Sequence, residues 1–171
     1  MFYLKDKRCY LSGAIEYSQE DNWRDLPKQI SKDQFNVNVF DPFEDPKQQW
    51  VPSLKKAKKD KDYETIIKIT HDFVRKDLSM VDHSHFLIAY LPHKVPTTGT
   101  VHEIINSNNA KKPTLLVTDS NDITNIPVWY WGFISPEFMF PNWEDLFIYL
   151  KEVDNGLHQK NRRWNLVHGL I

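Results

Sequence analysis

The sequence holds one cysteine, Cys9, and five glycines in 171 residues. One thiol cannot close an internal disulfide, so a reducing, cytoplasmic setting is expected. Cys9 opens an apolar run, where a buried structural thiol is the ordinary case and a catalytic one the exception. The glycines are too scattered for the phosphate loops GxGxxG or GxxxxGK[ST]. There is no run of about 18 apolar residues to cross a bilayer. The opening Met1-Phe2-Tyr3-Leu4-Lys5-Asp6 has no apolar segment of the secretory kind, so no membrane partner is expected. An excess of one charge is missing too: 22 Lys and Arg stand against 23 Asp and Glu. Without a basic surplus, a nucleic-acid polymer is not the expected partner. The seven histidines form no HExxH or compact ligand spacing, so no metal site is expected.

What is present is the material of a core: 40% of residues are apolar and 13% aromatic, which argues against disorder. The length suits one domain over residues 1–171. Residues 9–15 (CYLSGAI) read as a short buried strand. Residues 21–30 read as a helix with Asp21 as N-cap. Residues 35–40 (FNVNVF) alternate as a half-buried strand and stop at Asp41-Pro42. Residues 42–62 carry three prolines and the lysines 55, 56, 58, 59 and 61. They read as a long surface loop or insertion with a solvated basic face and room for one short helix. Residues 63–81 form the clearest helix, with Ile66, Ile67, Thr70, Phe73, Val74, Leu78 and Val81 at helical spacing. Residues 85–91 (HFLIAYL) have the unbroken apolar character of a central parallel strand. A Pro-containing loop, a helix from Gly99-Thr100 to about Ala110, and a strand over 113–118 follow. Residues 128–134 are expected to give the fifth strand. Trp143–Val153 reads as a helix capped by Asn142, and a tail over 155–171 ends in Leu166, Val167, Leu170 and Ile171. Alternation of strand and helix implies right-handed βαβ units. The expected fold is α/β: a doubly wound, flavodoxin-like parallel sheet of about five strands in the order 2-1-3-4-5, with helices on both faces.

In such a sheet, ligands bind beyond the carboxyl ends of the strands, where strand order reverses. The first strand ends in Ser12-Gly13-Ala14, and Gly13 permits close backbone approach. The third strand leads to Thr97, Thr98, Gly99, Thr100 and Glu103. Glu103 falls in the first turn or so of its helix, where an ionised carboxylate is stabilised and suits a nucleophile. Asp77 and Asp82 offer further acids, and Tyr10 a phenol. Each has an ordinary alternative. Glu103 alone is a solvated first-turn acid, Asp82 a turn residue, Asp77 an exposed one, and Tyr10 a core residue.

Taken in order, these segments resemble the nucleoside 2-deoxyribosyltransferase superfamily, which includes the deoxynucleoside 5′-monophosphate N-glycosidases. The carriers are Tyr10-Leu11-Ser12-Gly13-Ala14, the segment Arg75 to Ser84 with its Asp77-Leu78 pair, Gly99-Thr100-Val101-His102-Glu103, and Lys112 to Val117. The likeness spans roughly residues 9–118. It implies that Glu103 attacks the anomeric carbon of a 2′-deoxynucleoside, Tyr10 tunes that carboxylate, and Asp77 contacts the base and helps protonate it. Ser12, Gly13, Ala14, Asp82 and Thr97 to Thr100 would bind substrate. The partners implied are a deoxynucleoside or deoxynucleotide and a free nucleobase, with no cofactor. Thr97 stands where transferases of the family often carry an acid and the monophosphate glycosidases a hydroxyl. With Thr98, Ser12 and the Gly13 backbone it would suit a 5′-phosphate. Ile104 replaces the family's glycine after the glutamate. Before Trp131-Gly132, Pro127 and Trp129 stand where the transferases have the Asn-x-Met that serves a neighbouring subunit. The insertion would wall the base, with Trp50 as a stacking candidate. A non-catalytic nucleotide-sensing module on the same scaffold is the alternative. A receiver-type signalling domain would need an acidic cluster after the first strand. The aromatic stretch 128–140 exceeds what one small domain buries easily, which favours a homodimer or larger assembly.

Overall fold

A computed structural model describes residues 2–15, 23–92, 95 and 97–170. Five strands form one sheet: β1 (Arg8–Gly13), β2 (Asn38–Phe40), β3 (Phe86–Leu91), β4 (Thr114–Thr118) and β5 (Met139–Phe140). All neighbours pair in parallel, in the order β2-β1-β3-β4-β5. That is the doubly wound, flavodoxin-like α/β arrangement expected from the sequence. β3 and β4 are buried along their whole length, as central parallel strands covered on both faces must be.

The helices are α1 (Asp25–Phe35), α2 (Val51–Asp60), α3 (Tyr63–His83), α4 (Thr98–Asn109), α5 (Val128–Trp131), α6 (Trp143–Asp154) and α7 (Asn165–His168). α3 and α4 pack together, as do α1 and α6, giving one pair to each face of the sheet. Asn142 caps α6, its side chain accepting from Asp145 N at 2.9 Å, as expected. No helix among the described residues is long and apolar enough to cross a membrane.

Several elements differ from expectation for local reasons. α1 runs five residues further than expected, to Phe35, and stops because Asn36 takes φ 51°, a left-handed cap that asparagine tolerates. β2 therefore begins at Asn38. The expected N-cap Asp21 lies outside the described residues. Residues 128–134 are not a strand. Pro127 leads into α5, and Ile134 N donates to Tyr130 O at 2.8 Å, so the buried pair Tyr130 and Ile134 follows helical spacing. The fifth strand comes later, at Met139–Phe140. Tyr130, Ile134, Phe138, Met139 and Phe140 are all in the core, while Val128 and Trp129 stay exposed. Residues 42–62 take the form of an insertion with a helix, not of a plain loop. They form a 3-10 turn over Pro46–Trp50 followed by α2, which packs on α3. Their lysines at 55, 56, 58, 59 and 61 are exposed, as expected. The tail docks on the body through Trp164, which is fully buried and donates from Nε1 to Tyr149 Oη at 2.9 Å. Val167 is buried, Leu166 and Leu170 are exposed, and Ile171 lies outside the described residues.

Alternation along β1 sorts its side chains between the faces. Cys9, Leu11 and Gly13 share one face with Tyr90, which lies opposite Gly13 in the register. There the Trp23 ring packs 4.8 Å from Tyr90 and stacks 6.0 Å from Trp143. A Cβ at Gly13 would collide with the edge of the Trp23 indole. The glycine thus makes room for this aromatic stack, where the sequence suggested a ligand's approach. Cys9 is buried, and burial pushes its thiol pKa far up, as suits an inert structural thiol.

Gly13→Ala should displace Trp23 and cost about 1–3 kcal/mol through overpacking. Denaturant unfolding and tryptophan fluorescence would both have to change; unaltered values contradict the contact. His85 accepts from Arg8 N at 3.0 Å, and burial, then the Arg8 and Lys7 charges, hold its pKa below the ordinary 6.5. Burial likewise lowers His168. A histidine whose folded pKa is lowered takes up its proton more readily unfolded, so its share of stability is present above about 6.5 and is lost as pH falls. Melting temperature should drop between pH 7.5 and 5.5, and His85→Asn should flatten that slope; an unchanged slope contradicts it.

Candidate functional site

The other face of β1 carries Tyr10 and Ser12, two residues apart and therefore side by side. Ala89 lies opposite Ser12 on β3, and its small side chain leaves space above the sheet. α4 fills that space. Its buried positions are Thr100, Glu103, Ile104 and Ser107, the i, i+3, i+4, i+7 stripe of a helix on a core. Glu103 thus occupies a position where an apolar side chain would be usual. It is the sixth residue of α4, in the second turn and not the first, and only 8% of its surface is exposed.

Tyr10 Oη donates to Glu103 Oε1 at 2.7 Å. Ser12 Oγ donates to Oε2 of the same carboxylate. A buried carboxylate costs several kcal/mol unless its oxygens are engaged, and here each oxygen has its own hydroxyl. Burial, then the Glu103 charge and hydrogen bond, push the Tyr10 pKa far up. The phenol therefore stays a donor.

Arg24 closes this end of β1. Nη1 donates to Leu11 O and to Asp41 Oδ1, each at 2.9 Å, and Nη2 to Gly13 O at 3.0 Å. Its guanidinium lies 4.3 Å from the Trp23 ring centroid. Asp41, just after β2, also accepts from Phe43 N at 3.0 Å. Its Oδ2 has no directed hydrogen bond, but Lys28 Nζ lies 3.2 Å away. The pair ties the carboxyl ends of β1 and β2 together. Burial lowers the Arg24 pKa, opposed by the charges of Asp41, Tyr10 and Glu103; a guanidinium nevertheless remains charged.

Asp77 is not a merely exposed residue. It forms an ion pair with Lys47 Nζ, a residue of the 3-10 turn that is 1% exposed. Lys47 Nζ also lies 5.7 Å from the Phe73 ring centroid. Burial lowers the Lys47 pKa to about 8, against the raising effects of Asp45, Glu103 and Asp41 and with a further lowering by Lys76. Neither Arg24 nor Lys47 stands out in the sequence. The Arg24 signal, a cation next to an aromatic after the first strand, is generic. Lys47 sits in a lysine-rich segment where the solvated reading is the natural one.

The remaining candidates divide. Thr97 precedes α4 and is half-buried, and its side chain caps nothing. Thr98 and Gly99 are exposed, and a Cβ at Gly99 would meet open space. Thr100 points inward with the buried stripe. Ala14 is buried just past β1. Asp82 is set apart from the others. It lies in the last turn of α3 near the amino end of β3, accepting from Asn106 Nδ2 at 3.1 Å. Lys112 Nζ holds the Val81 and Asp82 carbonyls at 2.7 and 2.6 Å. Asp82 thus fastens α3 to α4 and is not among the groups around Glu103. Trp50 is half exposed. Pro96, with residues 93 and 94, lies outside the described residues. Among those described, no group of three or more His, Cys, Asp or Glu residues is assembled for a metal. An apolar groove of about 430 Å³ between α1 and α6, lined by Leu26, Ile30, Trp143 and Phe147, is on the opposite face and includes none of the site residues.

No family model matches the sequence, and no curated protein matches it either. A solved structure does: a 2-deoxyribosyltransferase from the psychrotolerant bacterium Bacillus psychrosaccharolyticus. The match has a TM-score of 0.57 and covers 84% of this chain and 95% of that one, at 18% sequence identity. The likeness is one of fold: this chain shares the α/β parallel-sheet architecture of that deoxyribosyltransferase.

Proposed function

We propose that this chain cleaves the N-glycosidic bond of 2′-deoxynucleosides or their 5′-monophosphates, with Glu103 as the nucleophile. The observation that carries the reading is the pair of hydroxyls, Tyr10 and Ser12, that engage the two oxygens of the buried Glu103 carboxylate. It stands at the carboxyl ends of β1 and β3, where the strand order reverses and doubly wound sheets take their ligands. A carboxylate in that place can stabilise an oxocarbenium-like centre and then trap it as a glycosyl ester, which water or a second base resolves. The shared fold with a deoxyribosyltransferase supports a nucleoside-type ligand. The absence of a 2′-hydroxyl eases formation of the sugar cation, which suits a 2-deoxy preference. Thr97, Thr98 and the first amides of α4 provide donors for a 5′-phosphate, since helix N-termini favour anions.

Chromatography of incubations with each deoxynucleoside and 5′-monophosphate, with and without a second free base, tests the reading. Free base marks hydrolysis, and an exchanged nucleoside marks transfer; binding without turnover would leave only a nucleotide sensor. Turnover should be better with monophosphates than with free nucleosides, and equal or better use of the free nucleoside removes the phosphate subsite. Glu103→Ala should lower turnover on the order of 10³-fold or more with the fold retained. Tyr10→Phe, which removes one hydrogen bond to a charged group, should cost roughly 10- to 100-fold in kcat/KM. Unchanged turnover in Glu103→Ala would remove the nucleophile.

A further inference from the structure

Cleaving a C1′–N bond leaves the departing base with an extra electron pair, and a neutral base departs readily only as a proton reaches it. Neither Glu103 with its hydroxyl donors nor Asp77 supplies that proton directly. Glu103 has to be ionised to attack. The Tyr10 phenol is held as a donor to Glu103, with its pKa pushed far up. Asp77 is ion-paired to the Lys47 ammonium. The proton next to Asp77 is the one on Lys47. Lys47 is 1% exposed and the Asp77 side chain 21%, so Asp77 is the member of the pair that a molecule entering from solvent can reach.

We propose that Lys47 is the proton source for the leaving base, acting as a positioning residue through Asp77. The inference rests on the glycosidic reading above. In the step, an oxygen of Glu103 forms a bond to C1′ while the C1′–N bond breaks. The electron pair of that bond goes to the base. Asp77 takes a proton from Lys47 Nζ and passes it to the base. Lys47 ends as a neutral amine, Asp77 as the carboxylate it was, and Glu103 as an ester. One negative and one positive charge disappear together, so the net charge of the enclosed site does not change. A low-dielectric site favours a reaction of that kind over one that creates charge.

The surroundings of Lys47 fit the role. Asp77 and Lys76 face it from α3, Asp45 from just before its own turn, Glu103 from α4 and Asp41 from the end of β2. Burial outweighs the charges of Asp45, Glu103 and Asp41 and brings its pKa to about 8. An ammonium that releases its proton near neutral pH is a better acid than an ordinary lysine. The group is protonated below about 8 and neutral above it, so turnover should fall as pH rises through that value.

The test compares a purine 2′-deoxynucleotide with its N7-methyl derivative, whose base is already cationic and leaves without a proton. Wild type, Lys47→Met, Lys47→Arg and Glu103→Ala are assayed on both, with Glu103→Ala as the background for spontaneous loss of the methylated base. Lys47→Arg keeps a cation beside Asp77 but cannot release a proton. Both Lys47 variants should lose on the order of 10²-fold in kcat on the ordinary substrate and stay within about threefold of wild type on the methylated one. The wild-type rate should decline above pH 8 on the ordinary substrate alone. Near-wild-type turnover of the ordinary substrate by Lys47→Arg or Lys47→Met overturns the inference, as does an equal loss on both substrates. If Glu103→Ala retains turnover, or wild type cleaves neither substrate, the glycosidic reading itself falls and this inference with it.

Discussion

The structure turns on one buried carboxylate held by two hydroxyls from a single strand. Glu103 lies on the inner stripe of α4, and an acid there survives only if both oxygens are engaged. Tyr10 and Ser12 can both reach it because strand geometry places alternate residues on one face. The parallel register puts Ala89 opposite Ser12, so the neighbouring strand does not fill the space. The strand order then sets this arrangement at the reversal between β1 and β3. Removing any of these features would leave Glu103 either unsatisfied in the core or free in solvent.

Charge around the carboxylate is arranged in pairs. Arg24 with Asp41 clamps the ends of β1 and β2, and Lys47 with Asp77 joins the segment before α2 to α3. Buried ions are costly singly, and their net stabilisation as pairs is small. Pairs of this kind are better accounted for by what they position. Arg24 fixes the Leu11 and Gly13 carbonyls on either side of Ser12, holding the hydroxyl toward Glu103. Lys47 reaches from the segment that looks least structured in the sequence and supplies a buried cation close to the acids of three other segments.

The sheet was legible because its central strands need no pattern beyond continuous hydrophobicity. β3 and β4 declare themselves in HFLIAYL and PTLLVT. The fifth strand was misplaced because Val128–Trp131 is as aromatic as a strand, and only the buried spacing of Tyr130 and Ile134 identifies a helical turn. The sequence places Tyr10 and Ser12 on the first strand and Glu103 near the head of a helix, and assigns Ser12 to substrate; in the structure the Ser12 hydroxyl engages Glu103 itself. Asp82 is near Asp77 in sequence but lies more than a turn further along α3, toward the other end of the sheet. Gly13 reads from the sequence as the place where a ligand approaches, whereas the group packed against it is Trp23. Lys47, Arg24 and Trp164 carry no local signature. Whether a lysine in a basic run is buried depends on contacts with residues thirty positions away, as with Asp77.

The central claim is that Glu103 becomes covalently bonded to the sugar. Mass spectrometry of the intact protein, after incubation with a nucleoside whose sugar carries fluorine at C2, tests it directly, because the fluorine disfavours the cationic centre and slows breakdown of the ester. The account predicts one fluoropentosyl adduct per chain, mapped by peptide digestion to Glu103, with one equivalent of base released. Base release with no adduct, or an adduct on another residue, would contradict it.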